Sequence, residues 1–135
     1  MCGMAGYISQ HTAPSEPLAR RMAQRIVHRG PDGAGVWCDT NAGVALAHRR
    51  LAILDLSEAG QQPMVSAGGR LVLSFNGEIY NHAALRAEIV AAGWSAGWNG
   101  HSDTETLLAA LRHWGVRGAL ERVNGMFAFA LWDTV

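Results

Sequence analysis

"MCGMAGYIS" (residues 1–9) decides how this chain is read. A cysteine directly follows the initiator methionine, and a glycine and an apolar, strand-like run follow the cysteine. If Met1 is removed, Cys2 becomes the first residue and carries both a thiol and a free α-amine. Removal requires a small second residue, and cysteine is small. The amine titrates near about 7.7–8.0 and a thiol near about 8.5. A nucleophile and its base then sit on one residue, the proton passing directly or through one water. The alternative is a small residue that stands there only because the start of a chain favours one. Position alone does not separate the two, so the rest of the chain must show what could work with a thiol there.

The 135 residues suit one domain with a real core. Apolar residues make up 49% and charged residues 16%, which excludes a disordered chain. Eleven basic residues, all arginine, balance eleven acidic ones. A neutral chain has no global field to draw in nucleic acid or an anionic membrane. No apolar run approaches the roughly 18–20 residues that span a bilayer, and the N-terminus lacks the pattern of a signal peptide. Cys2 and Cys38 are too few for a disulfide framework and read as thiols of a reducing cytoplasm.

Outward from Cys2, residues 3–9 read as a short buried strand. A helix is expected over 15–29, with Leu18, Met22 and Ile26 on its apolar face, Pro17 in its first turn and Gly30-Pro31 at its end. Strands 33–38 and 42–48 form a hairpin about Asp39-Thr40-Asn41. Residues 54–69 read as a loop, and 70–76 as a strand. A second helix runs from an Asn81 cap to Ala92, with Gly93 beyond its end and Leu85 and Ile89 buried. A third begins at Ser102, where Ser102 and Glu105 spell a capping box, and buries Leu107, Leu108 and Leu111. Residues 125–132 are apolar on both alternations, as in a strand buried on both faces. The pattern predicts an α+β layered domain. An ending on so buried a strand reads as a piece of a longer protein.

Four further positions can carry chemistry. Arg50 follows a strand, where its guanidinium can fork onto a carboxylate. Taken alone it reads better as a solvated surface arginine, and Arg49, on the opposite alternation, reads as surface still more. Asn76 and Gly77, in "FNGEIYN" (75–81), can supply two donors for an oxyanion, or a plain Asn-Gly turn. Asp103, in "HSDTE", can serve the helix terminus or hold a substrate ammonium. His28, His48, His82, His101 and His113 show no metal-ligand spacing with the cysteines. Trp94 and Trp98 read as loop anchors.

Taken in order, the N-terminal Cys-Gly, "HRGPDG" (28–33), "RLAILDLSEAGQQPM" (50–64), "NGEIYN" (76–81), "SDTE" (102–105) and "NGMFAFALWD" (124–133) resemble the class II glutamine amidotransferase domain. The wording is most similar to the glutaminase half of glutamine-hydrolysing asparagine synthetases. The resemblance covers nearly the whole chain. It implies an N-terminal nucleophile hydrolase fold, a four-layer αββα sandwich with antiparallel sheets. It implies that Cys2 attacks the glutamine side-chain amide to form a thioester, with its own α-amine as base. Asn76 and Gly77 would form the oxyanion hole. Arg50 would hold the α-carboxylate, and Asp103, with Glu78, the α-ammonium. Backbone groups of Arg50, Leu51, Ala52, Ile53 and Leu54 would line the pocket.

The family's glutaminase domain runs on beyond residue 135 and is followed by a synthetase half. Residues 1–135 would then be its N-terminal portion. The resemblance implies no cofactor here, with ATP and magnesium expected only in the synthetase half. An incomplete sheet edge would invite self-association, and a homodimer is one form of it. Two rival readings follow from the same residues. One is a silent fragment acting as an interaction domain. The other is an amidotransferase acting on a sugar or another acceptor in place of aspartate.

Overall fold

A computed structural model describes residues 2–53 and 55–135. Met1 and Leu54, the latter one of the expected pocket residues, lie outside the described residues. In chain order the elements are β1 (Gly3–Ile8), α1 (Glu16–Arg25), β2 (Gly33–Asp39), β3 (Val44–Arg50), β4 (Met64–Val65), β5 (Leu71–Ile79), α2 (His82–Ala91), α3 (Asp103–Leu120) and β6 (Gly125–Asp133). Short 3₁₀ turns occupy Val27–Arg29 and Glu58–Gly60.

The strands form two antiparallel sheets, ordered β1-β3-β2 and β4-β5-β6. Side-chain alternation then assigns the layers. Val44, Leu46 and Val72 meet Trp37, Ala130 and Trp132 between the sheets. On the outer face of the first sheet, Ala19 and Ala23 of α1 pack on Ala45 and Ala47. On the outer face of the second, Leu85 and Ile89 of α2 and Leu107, Leu108 and Leu111 of α3 cover Leu71, Leu73, Phe75 and Ile79. The result is the expected αββα sandwich. His48 crosses the gap between the sheets, and its Nε2–H donates to the Phe75 carbonyl at 3.0 Å. The acceptor fixes that tautomer, because a carbonyl oxygen cannot donate.

The hairpin forms as read. Asp39 Oδ1 accepts from the N–H groups of Asn41 and Ala42, both at 3.0 Å, which closes its turn. Several expectations shift. The helix over 15–29 ends at Arg25, and the β-branched Ile26 and Val27 lead into the 3₁₀ turn instead. Its buried face is Ala19 and Ala23, not the Leu18, Met22, Ile26 stripe, and Leu18 is 38% exposed. Small side chains let the helix lie close on a sheet that itself presents alanines. The supposed loop 54–69 contains β4.

Asn76 and Gly77 neither turn nor end a strand. β5 runs through them to Ile79, held by its ladder to β6. Asn81 precedes α2 but its side chain makes no cap bond. It instead accepts from Asn124 N–H at 2.8 Å and donates to the Arg122 carbonyl at 2.9 Å. Ser102 does cap α3, accepting from Glu105 N–H at 3.2 Å. The Glu105 carboxylate does not return the bond. It takes the N–H groups of Asn99 and Gly100, and Arg86 pairs with it at 3.2 Å. α3 is broken at Gly115, whose φ of 72° and ψ of 175° lie outside the helical region. β6 is the edge of its sheet, and its residues are half-buried or exposed, so it is not buried on both faces.

Candidate active site

β3 and β1 lie side by side, with Gly3 opposite Arg49 and Met4 opposite His48. That register brings Cys2 to the end of β3. Leu51 N–H donates to Cys2 Sγ at 3.3 Å, and the thiol lies 3.7 Å from the Leu51 carbonyl oxygen. The sulfur is thereby fixed one residue from Arg50. The "HRGPDG" segment braces this strand end. Asp32 N–H donates to the Arg50 carbonyl at 3.0 Å, and Asp32 Oδ2 accepts from Ala52 N–H at 2.9 Å. Arg49 is not a free surface group, since its Nε–H donates to the Gly30 carbonyl at 2.9 Å.

A cavity of about 300 Å³ opens beside the thiol. Its wall includes Cys2, Arg50, Leu51, Ile53, Gly77, Glu78 and Asp103, so seven of the sequence candidates converge on one space. Ala52 and Asn76 are not among its lining residues. Ala52 turns its N–H to Asp32. Asn76 faces the gap between the sheets, the same side of β5 as Val72, and its Oδ1 is buried without a partner among the described residues.

Arg50 is 7% exposed. One arm of its guanidinium donates to the Ser57 carbonyl at 2.7 Å and the other to the Asp55 carbonyl. Of its five N–H groups, three have no partner among the described residues. Asp103, 6% exposed, takes Ile79 N–H on Oδ2 and Thr104 N–H on Oδ1, both at 2.9 Å. Each carboxylate oxygen keeps further acceptor capacity. Glu78 is exposed at the rim. The cavity thus holds one fixed cation and a group of carboxylates, a polarity suited to a zwitterion.

The pattern of β5 is the most specific feature. In an antiparallel ladder, successive N–H groups point to opposite sides. Phe75 N–H turns away from β6 and donates to Gln62 Oε1 at 2.6 Å. Ile79 N–H, four residues on, turns the same way and donates to Asp103 Oδ2 at 2.9 Å. Gly77 lies midway and shares their orientation. Its N–H faces the cavity between two that are already taken. A side chain at Gly77 would collide with the Met126 carbonyl and with Phe127, which explains the glycine.

Sequence reasoning missed Gln62, Asp55, Ser57 and Thr104. Gln62 is 5% exposed and also donates from Nε2 to Thr104 Oγ1 at 3.3 Å. The Asp55 carboxyl is held down at about 2, chiefly by the Ser57 hydroxyl and next by the His101 N–H. Burial holds the His48 imidazole down at about 4, so it is neutral at pH 7. The only sequence signal for Asp55 and Gln62 was their place within the "RLAILDLSEAGQQPM" wording, which assigned them no role.

The Cys2 thiol, the Arg50 guanidinium and Gly77 stand around one cavity, the grouping that the sequence resemblance implies for a class II amidotransferase. The chain belongs to the glutamine amidotransferase domain family, whose model matches residues 1–135. It is 43% identical over 137 residues to "Asparagine synthetase [glutamine-hydrolyzing] 1" of Bacillus subtilis (strain 168), covering 98% of this chain and 21% of that protein. It is 40% identical over 136 residues to "Asparagine synthetase B [glutamine-hydrolyzing]" of Escherichia coli (strain K12), covering 99% of this chain and 23% of that protein. The chain therefore spans about a fifth of the length of these relatives. The fold matches the solved glutamine phosphoribosylpyrophosphate amidotransferase from B. subtilis, complexed with ADP and GMP, with a TM-score of 0.75. Identity there is 18%, and the match covers 98% of this chain and 35% of the other. Among the described residues, no helix is long and apolar enough to cross a membrane.

Proposed function

We propose that the chain hydrolyses glutamine to glutamate and ammonia, as the N-terminal part of a glutaminase domain within a longer protein. The observation that supports this most is that Gly77 lines the same cavity as Cys2, between Phe75 and Ile79, whose N–H groups are taken. With Met1 removed, the Cys2 sulfur attacks the side-chain amide carbon of glutamine, and its proton passes to the Cys2 α-amine. Negative charge develops on the amide oxygen. Gly77 N–H faces that oxygen. The resemblance assigns the second donor to the Asn76 side chain, which faces the gap between the sheets and does not line this cavity. The tetrahedral intermediate breaks at C–N, and the α-amine returns the proton to the leaving ammonia. Water then cleaves the thioester, releasing glutamate and restoring the thiol.

Arg50 holds the α-carboxylate through its free N–H groups. Asp103 and Glu78 hold the α-ammonium. The backbone of Leu51, Ala52 and Ile53 forms the adjoining wall, and the role expected of Leu54 stays with the sequence. In the longer protein, ammonia passes to an ATP- and magnesium-dependent synthetase domain that makes asparagine from aspartate. The identities to glutamine-hydrolysing asparagine synthetases support that acceptor over a sugar.

The test uses protein whose N-terminus is verified as Cys2 by mass. Glutamate release is followed in Cys2→Ala and in Cys38→Ala. The first should abolish it and the second should leave it near the unsubstituted level. Burial raises the Cys38 thiol above its ordinary value, which makes it the poorer nucleophile. Glutamate release by Cys2→Ala, or by protein retaining Met1, would refute the mechanism.

A further inference from the structure

The two groups that read the ends of a bound amino acid stand on different loops. Arg50 ends β3, and Asp103 begins α3. The Asp55 side chain joins the turn that holds Arg50 to the segment that leads into Asp103. Its Oδ1 accepts from Ser57 N–H at 2.8 Å and from Ser57 Oγ at 2.6 Å. Those bonds fold residues 55–57 into a tight turn. The turn aims two carbonyls, those of Asp55 and Ser57, at the Arg50 guanidinium. Asp55 Oδ2 accepts from His101 N–H at 2.9 Å, two residues before Asp103. Asp55 itself is 8% exposed.

Two glycines permit this closeness. A Cβ at Gly60 would strike the Arg50 guanidinium, and one at Gly100 would strike Asp55 Oδ2. The far side of the second loop is also fixed. Arg86 donates to the Gly100 carbonyl at 3.0 Å and to Thr106 Oγ1 at 3.2 Å, and it lies 3.9 Å from the centre of the Trp98 ring. The 97–103 segment is thus anchored on α2 and α3, and Asp55 ties the arginine loop to that anchor.

We propose that Asp55 is a positioning residue that sets the spacing between Arg50 and Asp103, and so selects ligands carrying both an α-carboxylate and an α-ammonium. The inference rests on the glutamine-binding reading above and adds a specificity determinant to it. Asp55 needs no contact with the ligand for this. A ligand charged at one end can settle on one subsite and follow it if it moves. A ligand charged at both ends cannot follow two subsites that separate.

Asp55→Asn is the informative change. The amide oxygen can still accept from Ser57, but its NH₂ then meets the His101 N–H, donor against donor. The tie to the anchored loop breaks while volume is kept. Binding is measured by calorimetry in a Cys2→Ala background, with three probes. L-Glutamine carries both charges, glutaramate lacks the ammonium, and 4-aminobutanamide lacks the carboxylate. Asp55→Asn should weaken glutamine about tenfold, a coupling of about 1.4 kcal/mol, and each single-charge probe less than about twofold. Ser57→Ala removes only the hydroxyl bond and should show the same selectivity with a smaller loss, which covers the case in which Asp55→Asn fails to fold. Equal weakening of all three probes would overturn the spacing role, because general damage to the cavity does not discriminate. Full retention of glutamine affinity in both variants would also overturn it. Failure of glutamine to bind the background protein would refute the proposed function, and this inference with it.

Discussion

Gln62 gives a stability prediction whose size follows from two bonds. Its side chain supplies the acceptor for Phe75 N–H and a donor to Thr104 Oγ1. Gln62→Met keeps the length and volume of the side chain and deletes both polar ends. The Thr104 hydroxyl can rotate, so its loss is small. The Phe75 N–H cannot turn, since the ladder to β6 fixes its direction. A buried donor left unpaired costs about 1–3 kcal/mol. Unfolding entropy of about 2.1 cal/mol/K per residue makes 1 kcal/mol worth about 3–4 °C in a chain of this length. Gln62→Met should therefore lower Tm by about 4–10 °C, read by circular dichroism at one pH and scan rate. Gln62→Glu separates the bonds. It keeps an acceptor for Phe75 but places a third carboxylate beside Asp55 and Asp103, so its deficit should shrink as pH falls and the new group protonates. A Gln62→Met protein as stable as the parent would show that Phe75 N–H finds another acceptor. The reading of β5 as a row with one open donor would then fail.

Two other outcomes are expected. Arg50→Lys keeps the charge but loses the planar fork. It should raise KM for glutamine roughly ten- to a hundredfold, as about 1.5–3 kcal/mol of charged hydrogen bonding predicts, whereas Arg49→Lys, which only reaches Gly30, should change it far less. Equal effects would refute the assignment. Stability should also fall on acidification because of His48. Its folded value, about 4, lies below the ordinary 6.5, so only the unfolded chain gains the proton between them. The contribution is fully present above pH 6.5 and is lost as pH falls toward 4. His48→Gln, which can still donate to Phe75, should flatten that limb of the stability profile relative to the parent, and an unchanged slope would sink the idea.

What the sequence revealed and what it hid divide along a physical line. Alternation and helical spacing placed nearly every element, because burial of a face leaves a period in the chain. Leu107, Leu108 and Leu111 of α3 are buried as the spacing required. The same logic failed for α1, where alanines take the inner face and larger side chains lie beside it. Hydrophobic size is a poor guide where two surfaces approach closely. The Asn76-Gly77 pair misled for a different reason. Its local preference is a turn, and the β5–β6 ladder overrides it. The candidates Cys2, Arg50 and Asp103 stood out because their types are reactive or charged, Gly77 because a glycine permits close backbone approach, and Glu78 only through the resemblance. Gln62 and Asp55 could not, since their partners Phe75, Thr104 and His101 are distant in sequence. A hydrogen bond between loops leaves no periodic trace.

β5 beyond Leu73 also has a meaning outside catalysis. Past the two residues of β4, its side away from β6 has no neighbouring strand among the described residues. Such an edge invites pairing with a foreign strand. Gln62 and Asp103 occupy the positions at Phe75 and Ile79, and the remaining opening is one residue wide. A strand needs alternate residues to dock, so it finds no purchase there. On the glutamine-hydrolysis reading proposed above, a lone planar amide needs only one donor on that side. The arrangement that closes this side of β5 to a foreign strand thus also sets the size of the opening it leaves.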